Sequence, residues 1–279
     1  AVVQKTAVSS NMRFVFAVGL EGAGHHYFAE VLDHLFDVNK DLVRISGRDN
    51  VNRVFYTINN SMGYNAEHYR ETLTGARENM RNLARRGAAL KFPGTVVSMF
   101  GRFTLLSYPS GRGPNKALKY FDLRKLAEVA EAEGVDLRLL YLRRPAKELM
   151  IADIIHRHFE NGLNNEGQST REENFMQYVQ VMFTDIAVVH SFLMELGPEF
   201  AICHDFDRFG DVDQSAVIAN FLAPNERVAA MLNDSLVEVA GGGHAKPDES
   251  LPYEGADEVV TSLQRKLDAF ESNICSGVR

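Results

Sequence analysis

The sequence has few cysteines, no excess of positive charge and no long apolar run, and each absence excludes a class of protein. Its two cysteines, Cys203 and Cys275, are too few for a disulfide framework and too far apart for a CxxC metal site, although a single bridge between them is compatible with the sequence. The formal net charge of −7 argues against a nucleic-acid-binding surface, because phosphate backbones need clustered lysine and arginine. We expect no membrane span and no signal peptide, because the apolar runs recognised in the sequence fall short of ~20 residues and the first residues are polar.

The length of 279 residues is enough for one large domain with its own core, and no break in composition demands two. We expect residues 1–11, which are polar, to form a lead-in segment and residues 12–279 to form a single domain. The chain starts at Ala rather than Met. If an N-terminal anchor has been removed, the expected compartment is the Golgi lumen, and otherwise the cytoplasm. The sequence carries no sign of the oligomeric state.

Apolar strands alternate with amphipathic helices along the chain. This alternation predicts an α/β fold with a parallel sheet covered by helices on both faces, and with ligands at the carboxyl ends of the strands. The predicted strands are residues 14–18, 89–94, 102–111, 136–145 and 199–206. The predicted helices follow residue 24 and cover the second half of 58–87, 122–133, 146–162, 175–197, 215–223 and 258–274, whereas 164–174 and 241–250 are predicted loops.

The strongest local pattern is RFVFAVGLEGAGHHYFAEVL (13–32), which predicts a buried strand, a glycine-rich turn and a helix. A helix start leaves about four unpaired N–H donors and a partial positive charge, and glycine lets an oxyanion approach the backbone. We therefore expect a phosphate or sulfate group at residues 19–27. The loop is not a Walker A motif, because no Lys follows Gly24, and its glycine spacing is not that of a dinucleotide fingerprint. A glycine turn without any ligand remains the simpler alternative.

Four segments, in matching order and spacing, resemble the sulfotransferase superfamily. VGLEGAGHHYF (18–28) is similar to that family's 5'-phosphosulfate loop, and LLYLRRPAKELMIADIIHRHF (139–159) is similar to the strand and helix that hold the 3'-phosphate of the donor. FAICHDFDRFGDVDQSAVIANFLAP (200–224) resembles the family's segment that leads into a helix ending in Phe-Leu-Gly, and GGGHAKPDES (241–250) lies where the family has a late loop that closes on the nucleotide.

The resemblance implies a P-loop-like sulfotransferase fold, which is a three-layer sandwich with a central parallel sheet. It also implies a co-substrate, 3'-phosphoadenosine 5'-phosphosulfate, whose sulfuryl group is moved without a metal to a hydroxyl or amine of a small-molecule or glycan acceptor. The donor-binding residues that it implies are Gly22, Ala23, Gly24, His25, His26, Tyr27, Arg143 and Lys246.

The sequence departs from the family pattern in both phosphate-binding segments. Gly22 stands where family members usually carry Lys or Arg, His25 and His26 replace a Thr pair, and Ile151 replaces the serine expected eight residues after Arg143. Donor binding in this chain would therefore need altered contacts.

Sulfuryl transfer resembles phosphoryl transfer, so the protein must supply donors or cations to the equatorial and bridging oxygens and a base for the acceptor hydroxyl. A histidine is readily protonated beside an anion, so His25 would replace the missing cation. Glu21, in the same turn, is the candidate general base. Tyr108 lies near the place where cytosolic family members keep a catalytic His; because a phenol is a poor base at neutral pH, we expect it to position the acceptor.

Two other functions fit the same pattern. One is a P-loop small-molecule kinase, against which the missing GK[ST] tail and the missing Walker B acid weigh. The other is a non-catalytic nucleotide-binding protein on the same scaffold, which the missing loop Lys and the missing serine leave open.

Overall fold

A computed structural model describes residues 13–20, 22–40, 42–44, 74–82, 85, 96–101, 122–155, 171–241, 251 and 255–275. The strands are β1 (Arg13–Val18), β2 (Leu42–Arg44), β3 (Val96–Gly101), β4 (Asp136–Arg143) and β5 (Ala201–Asp205). The helices are α1 (His25–Val38), α2 (74–82), α3 (Leu123–Ala132), α4 (Ala146–Ile155), α5 (Arg171–Leu196), α6 (Val212–Leu222), α7 (Glu226–Gly241) and α8 (Ala256–Ile274), with a 3₁₀ turn at Phe206–Arg208.

All five strands belong to one parallel sheet in the order β2-β3-β1-β4-β5. The central strand β1 pairs with β3 on one side, where Phe14 lies opposite Met99, and with β4 on the other, where Phe14 lies opposite Leu137. The chain leaves β1 toward the β2 edge and later crosses from β3 to β4, so the direction of winding reverses at β1. Ligands in open α/β sheets bind at the carboxyl ends of strands at such a reversal. The predicted α/β class with a parallel sheet is confirmed.

The core has two parts, one on each face of the sheet, because successive strand side chains point to opposite faces. Val15 of β1 belongs to the part that α1, α6 and α7 cover, whereas Phe14 and Phe16 belong to the part that α3 covers. Phe14, Phe16 and Val18 are fully buried. Because both faces of β1 are buried, the core fixes the position of its carboxyl end.

Helix α5 is the longest element described, and its residues Phe175–Leu196 are apolar and long enough to cross a membrane by length and composition alone. This corrects the expectation that no apolar run approaches that length. The helix packs along α8 and α3, and it contributes Phe175 to one part of the core and Phe192 to the other. These contacts are those of a core helix.

A disulfide joins Cys203 in β5 to Cys275, the residue that caps the end of α8. This is the single bridge that the sequence left open. It links residues 72 positions apart and holds the end of α8 on the sheet. Disulfides persist in oxidising compartments and are reduced in the cytosol, so the state of this bond depends on where the chain resides.

The strands β2 and β3 and the helix α7 were not predicted, and part of one predicted loop was wrong. Strand β3 lies at Val96–Gly101, between the two strands predicted at 89–94 and 102–111, which themselves lie outside the described residues. Helix α7 was not predicted, and residues 171–174, predicted as loop, form the first turn of α5. The lead-in segment 1–11 and most of the predicted loop 241–250 also lie outside the described residues.

Candidate functional site

The glycine turn between β1 and α1 lies directly against β4. A Cβ at Gly19 would come within 2.8 Å of the Leu142 carbonyl oxygen, so only glycine allows this approach. Gly22 and Gly24 have positive φ angles of 80° and 111°, which side chains with a Cβ rarely adopt. The Ala23 N–H donates to the Leu20 carbonyl at 3.1 Å. The turn therefore has the geometry predicted from its glycines, but the Ala23 N–H is engaged within the turn.

Helix α1 begins at His25 without a capping side chain and without an acidic residue in its first turn. By contrast, Asp122 caps α3 and Asp211 caps α6 through side-chain hydrogen bonds, and α8 carries acidic residues in its first turn. Among these four helices, α1 alone leaves the positive end of its dipole without a carboxylate from its own cap or first turn. Such an end attracts an anion.

An aromatic wall stands beside the turn. A Cβ at Gly24 would lie 3.1 Å from the Phe209 ring and 3.3 Å from the Phe206 ring. Phe209 also stacks on Tyr27, with ring centroids 4.0 Å apart. The 3₁₀ segment that follows β5 thus packs against the start of α1 and lines one side of the turn with two rings.

Arg144, the residue after β4, brings a cation to the turn. Its Nη1 donates to the Gly22 carbonyl at 2.8 Å, and its guanidinium lies over the Phe206 ring at 3.8 Å from the centroid. Glu148 accepts from its Nε at 3.3 Å. Arg144 therefore places a guanidinium, paired with Glu148, beside the glycine turn. In the sequence, the position of Arg144 next to Arg143 at the end of a predicted strand could have identified it as a site residue.

Arg143 is held by two carboxylates. Its Nε donates to Glu271 at 2.7 Å and its Nη1 contacts Asp205 at 2.8 Å. Glu271 also accepts from the Tyr141 hydroxyl at 3.2 Å. Burial raises the pKa of the Glu271 carboxyl, although the Arg143 guanidinium acts in the opposite direction. Arg143 therefore lies at the predicted strand end, but its charge is already balanced within the chain.

These groups line a pocket of about 260 Å³ at the carboxyl ends of β4 and β5, closed on one side by α8. Its charged lining residues are Arg143, Arg144, Arg208, Asp205, Asp207 and Glu271. Both signs of charge are present in equal number, so the pocket is polar without being strongly basic. Phe206 lines it as well, which places the pocket next to the glycine turn.

Two other places in the described structure contain histidines of the kind that can take part in catalysis. His34 lies between Ser235, 3.1 Å away, and Glu238, 3.5 Å away, in the order of a hydrolase triad. Ser235, however, is fully buried and donates to the Met231 carbonyl at 3.0 Å, so no substrate reaches its hydroxyl. His204 is also buried, and this burial lowers its pKa to about 3, so it is neutral in the folded protein.

The remaining predicted site residues are placed as follows. His25 is partly buried and His26 is exposed at the start of α1. Tyr27 is buried and its hydroxyl donates to the Leu236 carbonyl at 2.8 Å, so only its backbone can face a ligand at the turn. The predictions for Glu21, Tyr108 and Lys246 lie outside the described residues.

Across the part of the chain that is described, no three His, Cys, Asp or Glu side chains are grouped so as to hold a metal ion. No family model matches this sequence, and no curated protein matches it either.

Proposed function

We propose that this protein is a sulfotransferase of the P-loop-like fold. It would move a sulfuryl group from 3'-phosphoadenosine 5'-phosphosulfate to a hydroxyl or amine of a small-molecule or glycan acceptor. The observation that carries the proposal is the start of α1, which has no capping side chain and no acid in its first turn and follows a glycine turn at the carboxyl end of the central strand. This is the position at which α/β proteins bind anionic ligands.

The turn offers what sulfuryl transfer requires. In an in-line displacement, negative charge develops on the equatorial and bridging oxygens, and donors fixed in advance stabilise it. The backbone N–H groups at the start of α1 would face these oxygens, together with the side chains of His25 and His26. Arg144, which donates to the Gly22 carbonyl and is paired with Glu148, would place its guanidinium beside them. Glu21 and Tyr108 stay the predicted base and acceptor-positioning residue.

The 3'-phosphate would bind at Arg143, with Lys246 as its predicted second partner. The pocket that Arg143 lines adjoins the turn through Phe206, so a single nucleotide could contact both. The Arg143 guanidinium must then exchange at least one of its carboxylate partners for phosphate oxygens, since its Nε and Nη1 are engaged by Glu271 and Asp205.

The two ion pairs of Arg143 also favour a second candidate, a non-catalytic protein on this scaffold. An arginine that is already neutralised by two carboxylates binds a phosphate less strongly than an unpaired one. In this reading Arg143 would be a structural link between β4, β5 and α8, and the glycine turn would be only a tight connection.

A thermal-shift experiment separates the candidates, and the kinase alternative with them. The protein is heated with up to 10 mM adenosine 3',5'-bisphosphate, and separately with ATP and magnesium. The sulfotransferase predicts stabilisation by the bisphosphate alone, by about 2.7 kcal/mol when the ligand is at 100 times its Kd. Stabilisation by ATP and magnesium alone would identify a kinase, and no shift with either would favour a protein on this scaffold whose turn binds no nucleotide.

Turnover then separates an enzyme from a binding protein. Release of adenosine 3',5'-bisphosphate from the sulfated donor is followed with a panel of hydroxyl and amine acceptors. We expect Arg143→Ala to weaken nucleotide binding, whereas His25→Ala and Glu21→Gln lower kcat more than they raise KM. Arg265→Ala, which removes an exposed arginine from α8, serves as the matched control and should change neither. Unchanged kinetics in all three site variants would refute these assignments.

A further inference from the structure

The disulfide is tied to both carboxylates that hold Arg143. Cys203 lies two residues before Asp205 on β5, and Cys275 lies four residues after Glu271 on α8. The Cys275 N–H donates to the Glu271 carbonyl at 2.8 Å, so the bond fixes the very turn of α8 that presents Glu271. Covalent closure and ion pairing therefore act on the same helical turn.

We propose that this turn is a redox-sensitive latch on the anion site, with Glu271 as an internal anion that occupies Arg143 while the disulfide is intact. The inference rests on the proposed function in one respect, namely that Arg143 binds a phosphate group of the nucleotide. Once the disulfide is reduced, the turn loses its covalent link to β5, and an incoming phosphate displaces Glu271 from the Arg143 Nε against its hydrogen bonds to Arg143 and Tyr141.

Glu271 competes with an incoming phosphate for two reasons. It takes up the Nε donor of Arg143, and its own charge repels a second anion at the same guanidinium. The Glu271 side chain is only 6% exposed, so water screens that repulsion weakly. A phosphate at Arg143 therefore binds more tightly once Glu271 has moved or lost its charge.

The rest of α8 stays in place when the latch opens. Gln264, two turns earlier, accepts from the Ala146 N–H at 2.6 Å and so anchors the helix at the start of α4. Val260, Leu263 and Leu267 are buried in the core. The release is therefore confined to the last turn, and the pocket wall formed by Gln264 persists.

The chemistry needs only a dithiol reductant. Its thiolate attacks the sulfur of Cys275, which is partly exposed, whereas Cys203 is buried. The sulfur–sulfur bond breaks, Cys203 leaves as a thiolate and takes up a proton, and a mixed disulfide forms at Cys275. The second thiol of the reductant then displaces Cys275, which yields two protein thiols and the oxidised, cyclic reductant. The chain has no other cysteine, so the reductant acts at this bond alone.

Isothermal titration calorimetry with adenosine 3',5'-bisphosphate tests the latch. The Kd is measured for the oxidised protein, for the protein reduced with dithiothreitol, and for oxidised Glu271→Gln, which keeps the size of the side chain but removes its charge and one of its two acceptor oxygens. Glu258→Gln, an exposed position on the same helix, is the matched control. Circular dichroism checks that each form is folded.

We expect reduction and Glu271→Gln each to tighten binding by about tenfold or more, because each removes a poorly screened charge from Arg143. The Glu271→Gln variant should no longer respond to reduction, and the Glu258→Gln protein should behave as the unmodified one. Should the reduced protein unfold, the oxidised Glu271→Gln variant alone decides: unchanged affinity there overturns the latch.

The two proposals fail in different ways. Equal nucleotide binding by the oxidised protein, the reduced protein and Glu271→Gln overturns the latch and leaves the nucleotide site standing. Absence of binding in every form overturns the nucleotide site, and the latch with it.

Discussion

Replacing Gly24 with alanine tests whether the turn before α1 is as tightly enclosed as its geometry indicates. Gly24 has a φ of +111°, and a Cβ there would lie 3.1 Å from the Phe209 ring and 3.3 Å from the Phe206 ring. Both rings are held in turn, Phe209 by its stack on Tyr27 and Phe206 by Arg144. The substitution therefore meets a strained backbone and two rings with little freedom to move.

The expected loss has two parts. Forcing a residue with a Cβ into a left-handed conformation costs about 1–2 kcal/mol. Crowding well-packed rings costs about 1–3 kcal/mol more. Gly134→Ala provides the control, because Gly134 has a φ of +67° but nothing lies within 4 Å of its Cβ position. The Gly134→Ala variant should lose only the free energy that the left-handed backbone costs. The lower conformational entropy of its unfolded chain offsets this loss by about 0.4–1 kcal/mol.

Urea unfolding measures both variants. With an m-value of about 3 kcal/mol/M, Gly24→Ala should lower the unfolding midpoint by about 1 M and Gly134→Ala by a few tenths at most. If the two variants lose the same free energy of unfolding, Phe206 and Phe209 do not enclose the turn, and the reasoning about the aromatic wall is refuted.

Three further predictions concern the disulfide, a buried histidine and the cation at the turn. Reduction of Cys203–Cys275, which closes 72 residues, should lower the free energy of unfolding by about 4 kcal/mol, and a loss below about 1 kcal/mol in a urea titration would contradict this. Because burial lowers the pKa of His204 to about 3, below the ~6.5 of an unfolded histidine, the unfolded chain binds a proton that the folded protein does not. The free energy of unfolding attributable to this group should therefore fall by about 2 kcal/mol from pH 7 to pH 5, and His204→Leu should flatten that slope; an unchanged slope would show that the group is not the source. Arg144→Gln should weaken adenosine 3',5'-bisphosphate binding by about tenfold, whereas Arg144→Lys, which keeps the charge but loses the stacking on Phe206, should weaken it less; equal losses in calorimetry would point to a purely structural arginine.

Elements with a clear local pattern could be predicted from the sequence. The glycine turn after β1 was recognised because its strand is continuously apolar and its glycines are closely spaced. Helix α3 was placed by Asp122 at its start and by Gly134 at its end, which has the positive φ expected of a helix stop. In these places local chemistry and tertiary structure agree.

The elements that the sequence analysis missed have weak or overlooked patterns. Strand β3 begins after the Pro93-Gly94 pair that was taken to close a strand at 89–94, and that predicted strand lies outside the described residues. Helix α7 carries Val228, Leu232 and Leu236 at four-residue spacing, all of them fully buried, so its pattern was present in the sequence and was missed. In α5, the polar residues 171–174 are helical because the helix continues beyond its apolar part.

The candidate site was only partly accessible from the sequence. Strand-end positions such as Arg143 follow from the alternation of strands and helices, because parallel strands present their carboxyl ends at one edge. The partner of Arg143 did not follow, since Glu271 lies 128 residues away and no local pattern signals that pairing. The contact between Arg144 and Gly22, 122 residues apart, is of the same kind. Long-range contacts of this sort depend on the packing of whole elements.

The crystal structure of the protein bound to adenosine 3',5'-bisphosphate tests the central claim most directly, because it locates both phosphates relative to the turn. We predict the 5'-phosphate within about 3 Å of backbone N–H groups at the start of α1, and the 3'-phosphate on Arg143. A nucleotide bound elsewhere, or a turn still closed by Phe206 and Phe209 with no phosphate beside it, would contradict that claim.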